Sequence, residues 1–195
     1  MKYRAVTSEN FYFSEIKRAC KFLLKNKDIE DMREEFKERD ILDVTSPNNF
    51  KRKYLCVRKR LTYLTDELKE YLVNSDSQTG KVINLYTILC TERIILEFAD
   101  EVIKEKYHTY DYLIYQKDFN RFIEFKADQS DIVKNWSEAS KKIMVVKMKN
   151  FLTEGGLLTK LEEGKYKITR PIILPEIREE IHRNGEKEIL KAMLY

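Results

Sequence analysis

Ten residues, KRKYLCVRKR at positions 51–60, carry six cations and no anion. A run so dense in Lys and Arg, and so free of acid, suits the binding of a polyanion. On a helical wheel Arg52 and Lys59 share one stripe, and Lys51 and Arg58 share the adjacent one. Each pair is separated by about two helical turns, so its members stack along one face and can follow a phosphate backbone. The competing reading is a solvated basic face on a surface helix. A second basic region, residues 134–170, holds nine Lys and Arg against four Glu.

Catalytic constellations are harder to assemble. His108 and His182 are the only histidines, and neither sits in a recognisable nucleophile or metal motif. No Walker A loop, GxGxxG, HExxH or HxH occurs. The acids lie mostly on helix faces beside lysines, as solvated surface charge. Glu92, Arg93 and Glu97 fall within an apolar stretch and are expected to form a structural ion pair, because a buried charge needs a partner. Cys20, Cys56 and Cys90 are odd in number, far apart and without a CxxC pair, which predicts reduced, packed thiols. No enzyme, cofactor or metal site is expected.

The elements that must carry these residues are mainly helical. The chain has 195 residues, 43% hydrophobic and 36% charged, with five Gly and three Pro. That composition favours long amphipathic helices around a sizeable core. The net charge of +4 is too small to specify a partner. No apolar run long enough to span a membrane and no signal peptide occurs, so a soluble, cytoplasmic protein without membrane contact is expected.

Along the chain, Ser8 is placed to cap a helix over 8–26, and an acidic helix over 28–39 shows Ile29, Met32 and Phe36 on one face. Ser46 and Pro47 open a helix expected to run to Val73, with Phe50, Tyr54, Val57, Leu61, Leu64, Leu68 and Tyr71 on one stripe. Residues 81–106 are apolar nearly all round and predict a buried central helix. The Tyr-rich segment 107–117 is ambiguous. The domain reading is a helical bundle over 1–117 and a second module over 118–195.

In the second module, Asp118 is expected to cap a helix to Lys126; a short helix over 131–135 and a longer one from Ser137 to Gly155 follow. Gly155 and Gly156 end that helix, and a hairpin over 157–169 turns at Glu162–Gly164. This order is that of a winged helix-turn-helix, in which one helix enters the major groove and the hairpin touches the backbone or minor groove. Alternation puts Leu157, Thr159 and Leu161 on the apolar side of the hairpin with Tyr166 and Ile168, and Lys165 and Lys167 outward. The long helix shows two apolar faces, one of Ala139, Ile143 and Val146, the other of Met144, Met148, Phe151 and Leu152. It is therefore expected to be clasped on two sides, leaving a stripe with Lys142 and Lys149. Lysines outnumber the Arg, Asn and Gln that read base edges, which favours backbone contact. Two short helices, 175–183 and 186–194, close the chain around Gly185.

The segments YRAVTSENFYFSEIKRACKFLL, SPNNFKRKYLCVRKRLTYL, EFADEVI, DFNRFIEF and SEASKKIMVVKMKNFLTEGGLL, in this order, resemble the BrxA family of BREX (bacteriophage exclusion) loci. The resemblance covers residues 3–158. It implies a small helical, NusB-like, non-enzymatic component of phage defence that binds nucleic acid. No set of family binding residues carries over. The candidate site is therefore Lys51, Arg52, Arg58, Lys59, Lys142, Lys149, Lys165 and Lys167, on charge and wheel geometry alone. The expected partners are double-stranded DNA and other BREX proteins, with RNA or a purely scaffolding role as alternatives.

Overall fold

The computed structural model describes residues 1–26 and 31–195, a mostly α structure with one small sheet. Ile29, expected on the second helix, lies outside the described residues. Helix α1 (Phe13–Lys25) starts later than Ser8, from Tyr12 in a left-handed conformation. The preceding segment is held by tertiary contacts: Phe11 is buried, and its carbonyl accepts from Arg60 and Asn84. Helix α2 (Met32–Glu38) is capped by the Asp31 carboxylate, and its Phe36 meets Phe22 and Tyr54 edge to face.

Pro47 opens α3 (Pro47–Leu61), with Ser46 at the N-cap position but its hydroxyl making no capping bond. The stripe expected to reach Val73 as one helix is split. The chain turns after Leu61, and α4 (Asp66–Asn74) restarts under a cap from Thr65, whose hydroxyl accepts from the Leu68 N–H. Leu61, Leu64 and Leu68 all stay buried, so the turn leaves no trace in the hydrophobic spacing.

The central helix is α5 (Ser77–Thr91), capped by Asp76 and buried at every residue from Val82 to Thr91. The expected single helix to 106 is interrupted. Thr87 and Thr91 hydroxyls donate back to carbonyls of their own helix, and Glu92 takes an extended conformation. Such side-chain bonds compete with regular helix. The chain continues as α6 (Arg93–Phe98), a π turn (Ala99–Ile103) and α7 (Lys104–His108).

The ambiguous Tyr-rich segment contains a strand, β1 (Leu113–Tyr115). It pairs antiparallel with β3 (Lys165–Ile168), which also pairs antiparallel with β2 (Leu158–Glu162), giving the order β1-β3-β2. Between β1 and β2 lie α8 (Gln116–Gln129), α9 (Asp131–Lys134) and α10 (Glu138–Glu154). Asp118 caps α8 from inside its first turn, accepting from the Tyr115 N–H at 2.7 Å. Tyr166 and Ile168 point inward and Lys167 outward, as alternation predicts, but β2 has the opposite phase. Leu158 faces Ile168 and Lys160 faces Tyr166, while Thr159 sits across from Lys167 and Leu161 is exposed beside an irregularity between Lys160 and Glu162. A single extra residue in one strand reverses the side that its neighbours face.

Helix α10 is clasped on one side only. Met144, Val145, Met148, Phe151 and Leu152 are buried, whereas Ala139, Ile143 and Val146 are exposed. Its end packs on α5 at Gly155, where a Cβ would lie 2.6 Å from Leu85. Helices α11 (Pro175–Arg183) and α12 (Lys187–Ala192) complete the chain. One hydrophobic cluster joins Val57, Leu85 and Ile95 to Phe119, Met148, Tyr166 and Ile177, on both sides of Lys117–Asp118.

Candidate nucleic-acid interface

The six cations of 51–60 divide by their surroundings. Arg60 is 1% exposed, and its guanidinium donates to the carbonyls of Phe11 at 2.6 Å and Asn10 at 3.0 Å while lying over the Tyr12 and Phe151 rings. Lys53 bonds Glu15 and the Leu42 carbonyl, both at 2.9 Å. Lys59 donates to the Thr91 carbonyl at 2.7 Å and to Glu92 at 3.3 Å. Lys51, Arg52 and Arg58 are exposed and form no ion pair among the described residues. Arg52 is steadied by Asn49, and Arg58 lies over the Tyr54 ring.

The second region divides the same way. Lys142 and Lys167 are exposed and without an ion pair among the described residues. Lys149 is half-buried, donates to the Gln116 amide oxygen at 2.9 Å and forms no ion pair among the described residues, with Glu163 near enough to feel its charge. Lys165 is paired with Glu162 at 3.1 Å. A groove of 330 Å³ between α10 and the hairpin, bordered by Val146 and Asn150, carries the acids Glu154 and Glu163 as well as Lys149 and Lys160, and Lys160 is paired with Glu163 at 2.7 Å.

The segment before α1 joins the two regions. Arg60 of α3 reaches across it to Phe151 of α10, and Lys147 of α10 donates to Asn10 at 2.6 Å. Arg52 lines a polar cleft of 880 Å³ together with Asn10, Lys81 and Glu154, so the start of α3 and the end of α10 border one opening. Beneath Lys59, the buried Glu92 carboxylate also takes Arg4, whose guanidinium in turn binds Glu9 at 2.5 Å. Burial pushes the Glu9 carboxyl up, but the Arg4 guanidinium more than offsets this and holds it below the usual carboxylate range. Burial also pushes the Cys56 thiol up to about 12, which keeps it protonated beside Glu9. Arg93 and Glu97 form the expected pair at 2.6 Å, extended by Tyr3 and Lys126.

One mixed-charge concavity is not marked by any motif of the sequence. Arg178, Glu179, His182, Arg183, Lys187 and Lys191 border a 740 Å³ hollow between α11 and α12, with Arg183 paired to Glu180 at 2.5 Å and Lys191 to Glu188 at 2.7 Å. In the sequence the basic residues among them alternate with Glu176, Glu179, Glu180, Glu186 and Glu188, so no acid-free run marks them. Only helix packing gathers them.

A family model described as BrxA matches residues 1–185. A curated relative, the BREX protein BrxA of Bacillus cereus (strain H3081.97), is 29% identical over 181 residues, covering 93% of this chain and 90% of its own length. A crystal structure of an uncharacterized protein from Magnetospirillum magneticum superposes with a TM-score of 0.80 at 16% identity, over 99% of this chain and 98% of that one. That likeness shows a shared fold. Among the described residues no helix is long and apolar enough to cross a membrane.

Proposed function

Because the chain belongs to the BrxA family, we propose that it is a component of a BREX phage-defence system, and that it acts there by binding double-stranded DNA without catalysis. The observation that carries the DNA reading is the set of cations that form no ion pair among the described residues, Lys51, Arg52 and Arg58 on α3, Lys142 and Lys149 on α10, and Lys167 on β3. A lysine or arginine without an acid partner gives its full charge to a phosphate. Lys59 and Lys165, already paired with Glu92 and Glu162, contribute less. The order β1, α8, α9, α10, β2, β3, with β1 beside β3, supports reading 113–168 as a winged helix-turn-helix with α10 as the groove helix.

Six phosphate contacts predict that log K falls against log salt with a slope of about −5. Fluorescence anisotropy with labelled duplex DNA, single-stranded DNA and RNA, between roughly 50 and 200 mM salt, tests this. Arg52→Ala with Arg58→Ala is expected to make the slope shallower by about two. Absence of duplex binding at low salt removes the proposal. RNA binding alone would replace it with the RNA reading. A scaffold role draws on one specific feature, the exposed, edge-stacked Tyr110 and Tyr112, and would show as salt-insensitive capture of another BREX protein.

A further inference from the structure

The outward stripe of α10 has an unusual composition for a surface helix in a basic region. Ala139, Ile143, Val146 and Asn150 recur at helical spacing and are all exposed, with Lys142 beside them. Ile143 is 40% and Val146 46% exposed. Single exposed apolar residues are ordinary. Here two β-branched side chains are neighbours on one stripe, flanked by Lys142 and Lys149, which form no ion pair among the described residues, while the opposite face is locked in the core by Met144, Met148 and Phe151.

We infer that α10 reads thymine by its C5-methyl group in the major groove, with Ile143 and Val146 as the contacting side chains. This rests on the duplex reading of the previous subsection. Lys142 and Lys149 would set the depth of the helix through phosphates. Between them the stripe presents no Arg or Gln, so the bidentate reading of guanine by Arg is not available there. The apolar group that a base edge offers in the major groove is the thymine methyl. Asn150, further along the stripe, has the amide that pairs with adenine N6 and N7. Both chemistries belong to A·T pairs, so the stripe favours A·T-containing sites without demanding a long fixed sequence.

The test compares an A·T-rich duplex with the same duplex carrying deoxyuridine at every thymine. Phosphates and base pairing are kept and only methyl groups are lost. Wild-type affinity is expected to fall about fourfold for each methyl that is buried. Ile143→Ala with Val146→Ala should abolish the thymine-over-uracil ratio and leave the salt slope unchanged, because every lysine remains. Alanine at exposed helical positions raises helix propensity, so the fold is kept. Salt-dependent binding by the wild type that is equal on the two duplexes overturns this inference and leaves the phosphate reading standing. A ratio that persists in the double variant also overturns it, by assigning the preference to duplex shape. No binding to either duplex at low salt removes both.

Discussion

Arg60 and Arg58 stand two residues apart in the same basic run, yet they should behave in opposite ways on substitution. Arg60→Ala removes two bonds from a charged donor to the carbonyls of Phe11 and Asn10. Bonds of that kind contribute about 1.5–3 kcal/mol each. The loss is partly offset because the variant no longer has to bury a guanidinium, a desolvation cost of several kcal/mol. It is also softened because the Phe11 carbonyl keeps the Asn84 amide at 2.7 Å. The cation over the Tyr12 and Phe151 rings adds about 0.5–1 kcal/mol per ring to what is lost. The balance is a destabilisation of about 3 kcal/mol. With an m-value of about 2–3 kcal/mol/M, the urea midpoint should fall by about 1–1.5 M. Arg58→Ala, at an exposed site, should shift that midpoint by under about 0.2 M while weakening duplex binding. Urea unfolding followed by circular dichroism measures the first effect, and anisotropy at matched folded concentration measures the second. An Arg60→Ala protein with an unchanged midpoint and reduced DNA affinity would refute the assignment of Arg60 to the core.

Gly155→Ala is expected to cost about 1–3 kcal/mol, because the new methyl meets the Leu85 Cβ at 2.6 Å where α10 ends against the central helix; a thermal melt at constant pH reads it, and an unchanged melt would refute the close approach. Acid should destabilise the fold through Glu9 and Glu97. Burial raises the Glu97 carboxyl, but Lys126, Tyr3 and Arg93 outweigh it and leave its folded value lowered, as Arg4 does for Glu9. A carboxyl with a lowered folded pKa stabilises the protein above its unfolded value of about 4.3, and this stabilisation is lost as pH falls through the folded value. Urea midpoints should therefore be flat from pH 7 to about 5 and decline below it. Glu97→Gln should flatten part of that decline, and an equal pH dependence in the variant would exclude Glu97 as a contributor.

What the sequence makes legible is what local chemistry decides. Pro47 opens α3, the glycines at 155 and 156 close α10, and Gly164, at a φ of 72°, supplies the left-handed turn of the hairpin. The strand β1 is invisible at that level. Its three residues become a strand only by pairing with β3, and nothing near Leu113 signals a partner at Lys167. The phase of β2 is lost for a similar reason, since the irregularity after Lys160 shifts alternation without a glycine to mark it.

The basic run shows where periodicity stops being informative. Its cations form three pairs seven residues apart. Lys53 and Arg60 flank the core stripe of Tyr54, Val57 and Leu61, and the structure turns both inward. Lys51 and Arg58 lie on the other flank of that stripe and stay exposed, and Arg52 and Lys59 lie opposite it. The two flanks are told apart by what packs on them: Cys56 is buried on the Lys53 and Arg60 side, and nothing in the stripe itself marks that side. Arg52 and Lys59 occupy equivalent positions on the wheel but have different surroundings. Lys59 is tied to a buried carboxylate 33 residues away, on the residue where the central helix breaks. No property of α3 predicts that partner. The charge that Lys59 presents to solvent is set by a helix break in another part of the chain. For that reason a basic cluster counted in the sequence overstates the charge available to a phosphate backbone, and the overstatement is largest where the cluster borders a buried acid.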